Sequence, residues 1–515
     1  MSNSHKTHQD TDVLICGAGC AGSLLAWILA RQGLDVTLVD QSQHPRFAIG
    51  ESSTPLADLI LERMADRFGL PELAPLARWG SWQKHYPHLR CGKKRGFSYF
   101  GHQPGKAFSD TPQHQHSYLV AASAADAVSD THWLRSDVDQ WLCQQAVSAG
   151  VRYYDNTRVA VVPSSTDGWL IEGQQASVRQ SWHASWCIDA SGAGGWLPRT
   201  LGVSRADDQL RTRTGTLFGH FTGVQPMTRW LQQHGAGADE QEPFDADDAA
   251  QHHVLRDGWM WMLRFACGIT SVGVTRPSPL WPSACNDPRQ RWSVWQQLLD
   301  DYPTLQTLMA GSRLVDPRAE GATEPGLGWI PRISRLWRAA GGSRWLALPA
   351  TVGVIDPLHS TGLAHTLFGV DRAAELLLSD WGSAAQSRLL SDYIEDRLEE
   401  VQWIDQLVAI CYAALPDFEL FTAVSSLYFV AAIASEHELS ESGMLTHGFL
   451  GHRSSAWREL AAWVWSELQS REPHESEHGR RRFIDRLRQR IEPWNHVGLL
   501  APEMHNRLAR TVAPK

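Results

Sequence analysis

The feature that most constrains this chain is the run Gly17-Ala18-Gly19-Cys20-Ala21-Gly22. Before it, Thr11 to Cys16 is a short β-type segment, and after it Ser23 to Arg31 has the character of an apolar helix. A second strand-like segment, Leu34 to Asp40, ends in an acid 18 positions beyond the last glycine. Glycines permit a tight turn and close approach of a pyrophosphate, which rests on the helix N-terminus, and the acid accepts hydrogen bonds from the adenosine ribose. The β-α-β context, more than the glycines alone, predicts a Rossmann-type dinucleotide site. Its binding residues are Gly17, Gly19, Ala21, Gly22 and Asp40.

A chain of 515 residues exceeds one simple core, so two or three closely packed domains are expected. Its net charge of −9 argues against a nucleic-acid or anionic-membrane surface. The eight cysteines lack metal-type spacing, so no metal site is expected and a reduced, cytoplasmic setting fits. Met1 to Asp12 is polar and has no signal-peptide core, and no run of about 18 apolar residues predicts a membrane span. Tryptophan stands out at 24 copies, which serve as large packing units or line a pocket for a flat aromatic molecule.

Polar tracts at 101–117, 234–253 and 470–482 read as surface loops or linkers. Their histidines His114, His116, His252 and His253 lack the i, i+4 placement of a ligand pair and are expected in solvent. Between about 155 and 350, strand-like segments at Thr157–Val162, Thr214–Thr222 and Ser271–Val274 predict an antiparallel sheet. From Asp371 onward, periodic apolar positions through Leu407–Tyr412 and Phe418–Ala432 predict helices. The fold class is therefore α/β, α+β overall: a nucleotide-binding core over 10–380 with interleaved antiparallel-sheet parts near 80–120 and 205–335. A mainly helical region over 381–515 follows and covers the substrate site.

Three further segments favour FAD over NAD. Trp186 to Gly192 is an apolar strand that ends at Asp189 and a small-residue turn, suited to bringing the chain back to the dinucleotide. Arg135 stands just ahead of a helix-like run, within reach of the pyrophosphate or the adenine side. Thr351 to Gly362, which contains Asp356, places a second small-residue loop before a helix from Leu363, and such a helix start suits an anion or the flavin's electron-rich edge.

With His44-Pro45-Arg46-Phe47-Ala48-Ile49-Gly50-Glu51-Ser52-Ser53-Thr54-Pro55 and Cys91-Gly92-Lys93-Lys94-Arg95-Gly96-Phe97-Ser98-Tyr99-Phe100 added, residues 10–375 resemble the flavin-dependent halogenases. These belong to the aromatic hydroxylase-like FAD superfamily, and the likeness is to the phenol-type members that act on phloroglucinol-like rings. In that group a Cys-Gly-x-Lys-x-Gly-Phe-Ser-Phe pattern carries the essential lysine, which falls on Lys94. The resemblance implies an enzyme that uses FADH2 and O2, with chloride or bromide as co-substrate. A flavin hydroperoxide yields hypohalous acid, and Lys94 passes the halogen to a small phenolic substrate. It also implies Arg46 and Ser52 at the cofactor, a halide site at the N–H groups of Thr361 and Gly362, and a separate NAD(P)H-dependent flavin reductase.

A lysine amine is nucleophilic only when neutral, which calls for a desolvated or cationic neighbourhood, and Lys93 and Arg95 flank it. The alternative is a solvated basic cluster on a strand edge. Glu51 is the second catalytic candidate: a carboxylate near the lysine orients the electrophile and accepts the ring proton, or else caps the helix that begins near Pro55. His359 is a packing residue or a donor near the flavin. The family's Trp-x-Trp-x-Ile-Pro stretch matches Gly258 to Phe265, with Leu263 and Arg264 in the last two motif positions. Arginine there adds a charge and a backbone donor, so it would bind an acidic substrate or alter the channel. It also keeps open a flavin monooxygenase or oxidoreductase that does not halogenate, and beyond that a non-enzymatic flavoprotein partner. Trp403, Trp457, Trp463, Trp465 and Trp494 are expected to cover the aromatic site or mediate self-association.

Overall fold

Strand β1 (Gln9–Cys16), helix α1 (Cys20–Arg31) and strand β2 (Val36–Val39) form the expected opening unit, followed by α2 (Pro55–Arg67) and α3 (Trp79–His85). Next come β3 (Cys91–Lys94), β4 (Gly96–Gly101), β5 (Ser117–Ala121), β6 (Asp130–Trp133) and α4 (Arg135–Ser148). Then β7 (Arg152–Tyr154), β8 (Thr157–Val162), β9 (Trp169–Gln175) and β10 (Val178–Asp189) lead to α5 (Trp196–Thr200). After them run β11 (Thr214–Thr222), α6 (Met227–His234), β12 (Ala250–Leu255), β13 (Gly258–Arg264), β14 (Ile269–Pro277), α7 (Arg291–Asp300) and α8 (Pro303–Met309). Helices α9 (Pro349–Val352), α10 (Thr361–Leu377), α11 (Ala384–Ala414), α12 (Phe418–Ser442) and α13 (Ser455–Gln469) follow. This computed structural model describes residues 9–162, 167–234, 242–316, 326–470, 473 and 476–509.

Two large sheets organise these elements. In the first, Trp345–Ala347, β10, β1, β2 and β7 run parallel in that order, and β9 and β8 extend β10 in antiparallel fashion. The buried stretches 13–15, 186–188 and 345–347 of the parallel strands are continuously apolar, as burial on both faces requires. The second sheet has nine strands, ordered Arg313–Val315, β11, β14, β13, β12, β4, β5 and Arg507–Leu508, with Gly328–Ile330 also on β11. It is antiparallel apart from the β12–β4 and Arg507–Leu508–β5 pairs. Thr157–Val162 is a strand as its composition predicts, but it joins the first sheet, not the antiparallel one.

Alternation along the second sheet divides its side chains between two cores. Phe218, Trp259, Trp261 and Leu263 enter the main core shared with the nucleotide-binding unit. Leu217, Met260, Met262 and Val272 enter a second core with Trp295 and Leu305 of α7 and α8. Helix α12 is long and apolar enough by composition to cross a membrane, yet 78% of its most apolar window is buried inside the protein. Phe421, Tyr428 and Phe429 from this helix pack against Tyr99, Phe97 and His359.

The polar tract 234–253 divides: His234 ends α6, residues 235–241 lie outside the described residues, and 250–255 is strand β12. His252 and His253 are therefore buried, at 2% and 0% exposure, and not in solvent. Parallel pairing of β12 with β4 places both inside the sheet, where aromatic rings cover them. His114 is also buried, hydrogen-bonded to Asp110 and Arg507. A helix spans Glu477–Ile491, so the tract 470–482 ends within regular structure.

Candidate active site

The glycine turn is closed by its neighbours. Gly17 has φ +115°, and a Cβ there would lie 2.4 Å from the Ala190 carbonyl oxygen. At Gly22 a Cβ would lie 1.9 Å from the Gly17 oxygen. Helix α1 begins at Gly19 with no side-chain cap, which leaves its first-turn donors for a ligand. Asp40 accepts from the Ala18 amide at 2.6 Å and the Ser42 amide at 2.8 Å, and pairs with Arg46 at 2.9 Å. Arg135, the first residue of α4, binds Asp139 and the carbonyls of Ile49 and Gly50, at 2.8, 3.0 and 2.9 Å. The Ser52 hydroxyl is buried with no hydrogen-bond partner among the described residues. A tight glycine cradle, an uncapped helix start and an orphaned hydroxyl fit a dinucleotide cofactor.

Two acids expected at the cofactor are held by hydrogen bonds from the protein itself. Asp189 accepts from the Ser191 and Leu197 amides at 2.8 and 2.6 Å, which fixes the turn beside Gly17. Asp356 accepts from Trp259 Nε1, the Leu358 amide, Thr214 and Tyr412, at 3.2, 3.1, 2.7 and 2.9 Å. It thereby ties the loop before α10 to β11, β13 and α11. Burial raises the pKa of both.

Lys94 ends β3, which pairs antiparallel with β6 in the register Lys94–Asp130 and Gly92–His132. The segment Glu51–Ser53 lies along β6: Ser52 bridges His132, the Ser53 amide donates to Thr131 O at 2.9 Å, and the Trp133 amide donates to Glu51 O at 2.5 Å. This bridge sets the backbone of Glu51 beside β6, the strand that also pairs with Lys94. Lys94 is 0% exposed; its Nζ donates to the Ser53 carbonyl and stands 4.0 Å from the Phe97 ring centroid. The solvated-cluster alternative thus fails for Lys94. It describes Lys93, which strand alternation turns away to Asp126 and Asp248 at 2.6 and 2.8 Å. Arg95 also pairs with Asp126, at 2.7 Å, so the two flanking cations are already matched by acids.

Imidazoles surround this lysine. Burial, with the charge of Lys94 as a further cause, pushes His132 and His252 down to about 3, so both are neutral. His252 stacks on Tyr99 at 4.5 Å and on Trp259 at 5.0 Å. Glu51 does not cap α2; Thr54 does, accepting from the Ala57 amide at 3.3 Å. The Glu51 carboxylate is instead buried against His220 of β11, with Oε1 2.6 Å from Nε2. Sequence reasoning missed His132, His220 and His252. Each lies on a strand with a partner remote in sequence (β3 for His132, β14 for His220 and β4 for His252), and no local spacing marks it.

Both motif tryptophans line the core face of β13. The Trp261 ring lies over Gly273, where a Cβ would meet it at 2.2 Å. Arg264 points the other way, to Asp247 Oδ1 at 2.8 Å and the Val224 and Gln225 carbonyls at 3.1 and 2.8 Å. It is a brace for the chain ahead of α6. The lysine strand presses on this same strand: a Cβ at Gly92 would lie 2.0 Å from the Arg264 carbonyl oxygen.

Helix α10 starts at Thr361, preceded by His359 and Ser360 in left-handed conformations, φ 64° and 58°. Thr361 is buried, while nothing lies within 4 Å of the Cβ position of Gly362, so the helix start faces open space. His359 stacks on Tyr428 at 4.7 Å, bonds Tyr99 at 2.8 Å, and is kept neutral by burial, which makes it a packing residue.

The family described as FAD dependent oxidoreductase matches residues 12–218. The chain is 26% identical over 453 residues to monodechloroaminopyrrolnitrin halogenase PrnC of Pseudomonas fluorescens, covering 86% of this chain and 74% of that protein. It is also 26% identical to tetracycline 7-halogenase of Kitasatospora aureofaciens over 435 residues, 82% of this chain and 73% of the other. The crystal structure of halogenase PltM in complex with phloroglucinol and FAD matches with a TM-score of 0.80 and 25% identity, covering 97% of this chain and 99% of that one. With a glycine cradle that fits FAD and a likeness that runs through both sheets and the C-terminal helices, this chain is an enzyme of the flavin oxidoreductase class that is similar in sequence and fold to flavin-dependent halogenases.

Proposed function

We propose that this enzyme chlorinates or brominates an electron-rich phenolic ring, with Lys94 delivering the halogen and Glu51 taking the ring proton. The observation that carries the proposal is the full burial of Lys94, against the Ser53 carbonyl and the Phe97 ring, on a strand pressed to the Trp259–Trp261 strand. A buried amine loses hydration that favours its charged form, which suits an amine that must bind an electrophile. The aromatic and imidazole lining suits a flat ring better than a charged or aliphatic substrate.

The cofactor would rest its pyrophosphate on the start of α1 beside Gly17, Gly19, Ala21 and Gly22, with Arg135 near by. Asp40 and Arg46 lie on the adenosine side, and Ser52 with the Thr361–Gly362 helix start serves the flavin and halide end. When bound, reduced FAD supplies the oxygen chemistry that converts halide to hypohalous acid. Lys94 holds the electrophilic halogen by hydrogen bonding or as a haloamine. The ring carbon then takes the halogen as the N–halogen bond of the haloamine breaks and leaves its electron pair on the Lys94 amine. From hydrogen-bonded hypohalous acid the O–halogen bond breaks instead, and the oxygen leaves as hydroxide, protonated to water. The carbon–hydrogen bond then breaks and its proton passes to the Glu51 carboxylate. The sequence carries one dinucleotide fingerprint, at 17–22, which supports supply of reduced flavin by a separate NAD(P)H-dependent reductase.

The test is a substrate panel. The purified protein, a flavin reductase, NADH, FAD, oxygen and chloride or bromide are offered phloroglucinol-like phenols, simple phenols and tryptophan. Halide-dependent gain of halogen mass on the phenols is expected. Hydroxylated product formed equally without halide would overturn the proposal in favour of a monooxygenase.

A further inference from the structure

The Glu51 carboxylate is buried among rings, where an ionised group needs a hydrogen-bonded partner. Its Oε1 has one: His220 Nε2, at 2.6 Å, with both side chains 2% exposed. Along β11 His220 shares its face with Phe218, which enters the main core. The imidazole is boxed by Phe47 at 5.0 Å and Phe265 at 6.0 Å, and Phe47 is itself stacked on Phe218 at 5.6 Å. Phe47 belongs to the segment that carries Glu51, and Phe265 directly follows the tryptophan strand. The ring is therefore fixed by both walls of the site. Its Nδ1 is buried with no hydrogen-bond partner among the described residues, so the one hydrogen bond of the ring runs from Nε2–H to Glu51 Oε1. The Arg135 guanidinium is engaged by Asp139 and by the Ile49 and Gly50 carbonyls.

We infer that His220 is the positioning residue for Glu51: it holds one carboxylate oxygen, so that the other is presented to the ring proton in a fixed orientation. This rests on the role proposed for Glu51 above. A donor at one oxygen removes the carboxylate's freedom to rotate, and misplacing a catalytic group by about 1 Å costs on the order of 100-fold in rate. His220 touches neither substrate nor halogen in this arrangement, and its effect passes wholly through Glu51.

The test compares FAD-loaded His220→Phe, His220→Gln, Glu51→Gln and the double variant His220→Phe with Glu51→Gln. Phenylalanine keeps a ring in the aromatic box but removes the donor, whereas glutamine restores an N–H. The expected result is a loss of about 100-fold in kcat for His220→Phe, with KM for the phenol and the FAD dissociation constant unchanged. Most of that loss should return in His220→Gln, and His220→Phe should add nothing in the Glu51→Gln background. Wild-type kcat in His220→Phe beside an impaired Glu51→Gln would overturn the inference alone. Full activity in Glu51→Gln would overturn the role of Glu51 itself. Loss of FAD binding in both His220 variants would make His220 a structural prop and equally defeat the inference.

Discussion

Two residue positions, Gly22 and Arg264, separate what the site needs from what the fold needs. Gly22 allows α1 to approach the Gly17 carbonyl, where a Cβ would stand at 1.9 Å, so Gly22→Val should yield folded protein that purifies without flavin absorbance. Flavin retained at wild-type occupancy would contradict the cradle. Arg264, which replaces the family's motif proline, braces Asp247 and two carbonyls on the side of β13 away from the tryptophans. Arg264→Ala should lower the melting temperature, at a cost of about 1–3 kcal/mol for lost charge-assisted bonds, while halogenation stays within a few-fold of wild type. A collapse of activity at unchanged melting temperature would place Arg264 in the substrate channel after all. The glycine turn, the terminal acid and the lysine block were legible because each is a local pattern. Glu51's partner was not, because His220 meets it from 169 positions away.

At the scale of elements, the site depends on the segment 51–53 bridged to β6, on β6 paired with β3, and on β3 pressed against β13. Gly92 is the seam, since a Cβ there would stand 2.0 Å from the Arg264 carbonyl oxygen, a backbone atom that cannot swing aside. Gly92→Ala should push β3 off β13 and reduce halogenation by on the order of 100-fold, with FAD binding preserved. Equal activity in this variant, measured under the same reductase supply, would show that the seam does not position Lys94. Strand composition alone located β8 and β11 at the observed bounds, Thr157–Val162 and Thr214–Thr222. It could not tell that β8 joins the parallel sheet, because pairing is set by long-range register and not by the strand's own residues. The same limit hid β12, whose two histidines read as solvent-facing until β4 and β13 enclose them.

Across the whole molecule, burial holds many histidines neutral. His102, His132 and His252 are each pushed down to about 3, chiefly by burial. Their unfolded-state value is near 6.5, so between about 6.5 and 3 the unfolded chain binds protons that the folded protein refuses. Stability is full above that window and falls with pH within it, by up to about 1.4 kcal/mol per pH unit for each histidine. Asp189 and Asp356, whose pKa burial raises, offset part of this loss. Thermal melting followed from pH 7.5 to 5 should therefore show a steep fall below about 6.5, and a flat profile would contradict neutral burial of these rings.

The same whole-molecule view rests on one claim, that a single buried amine turns a flavin-activated halogen toward a phenol. The most direct measurement is product mass from FAD-loaded wild type and Lys94→Ala, reduced and reoxidised in oxygen with bromide and a phloroglucinol-like phenol. Wild type should give the brominated ring; Lys94→Ala should bind and reoxidise flavin at the same rate yet give no brominated product. Equal bromination by Lys94→Ala, or hydroxylation without bromide in both, would contradict it.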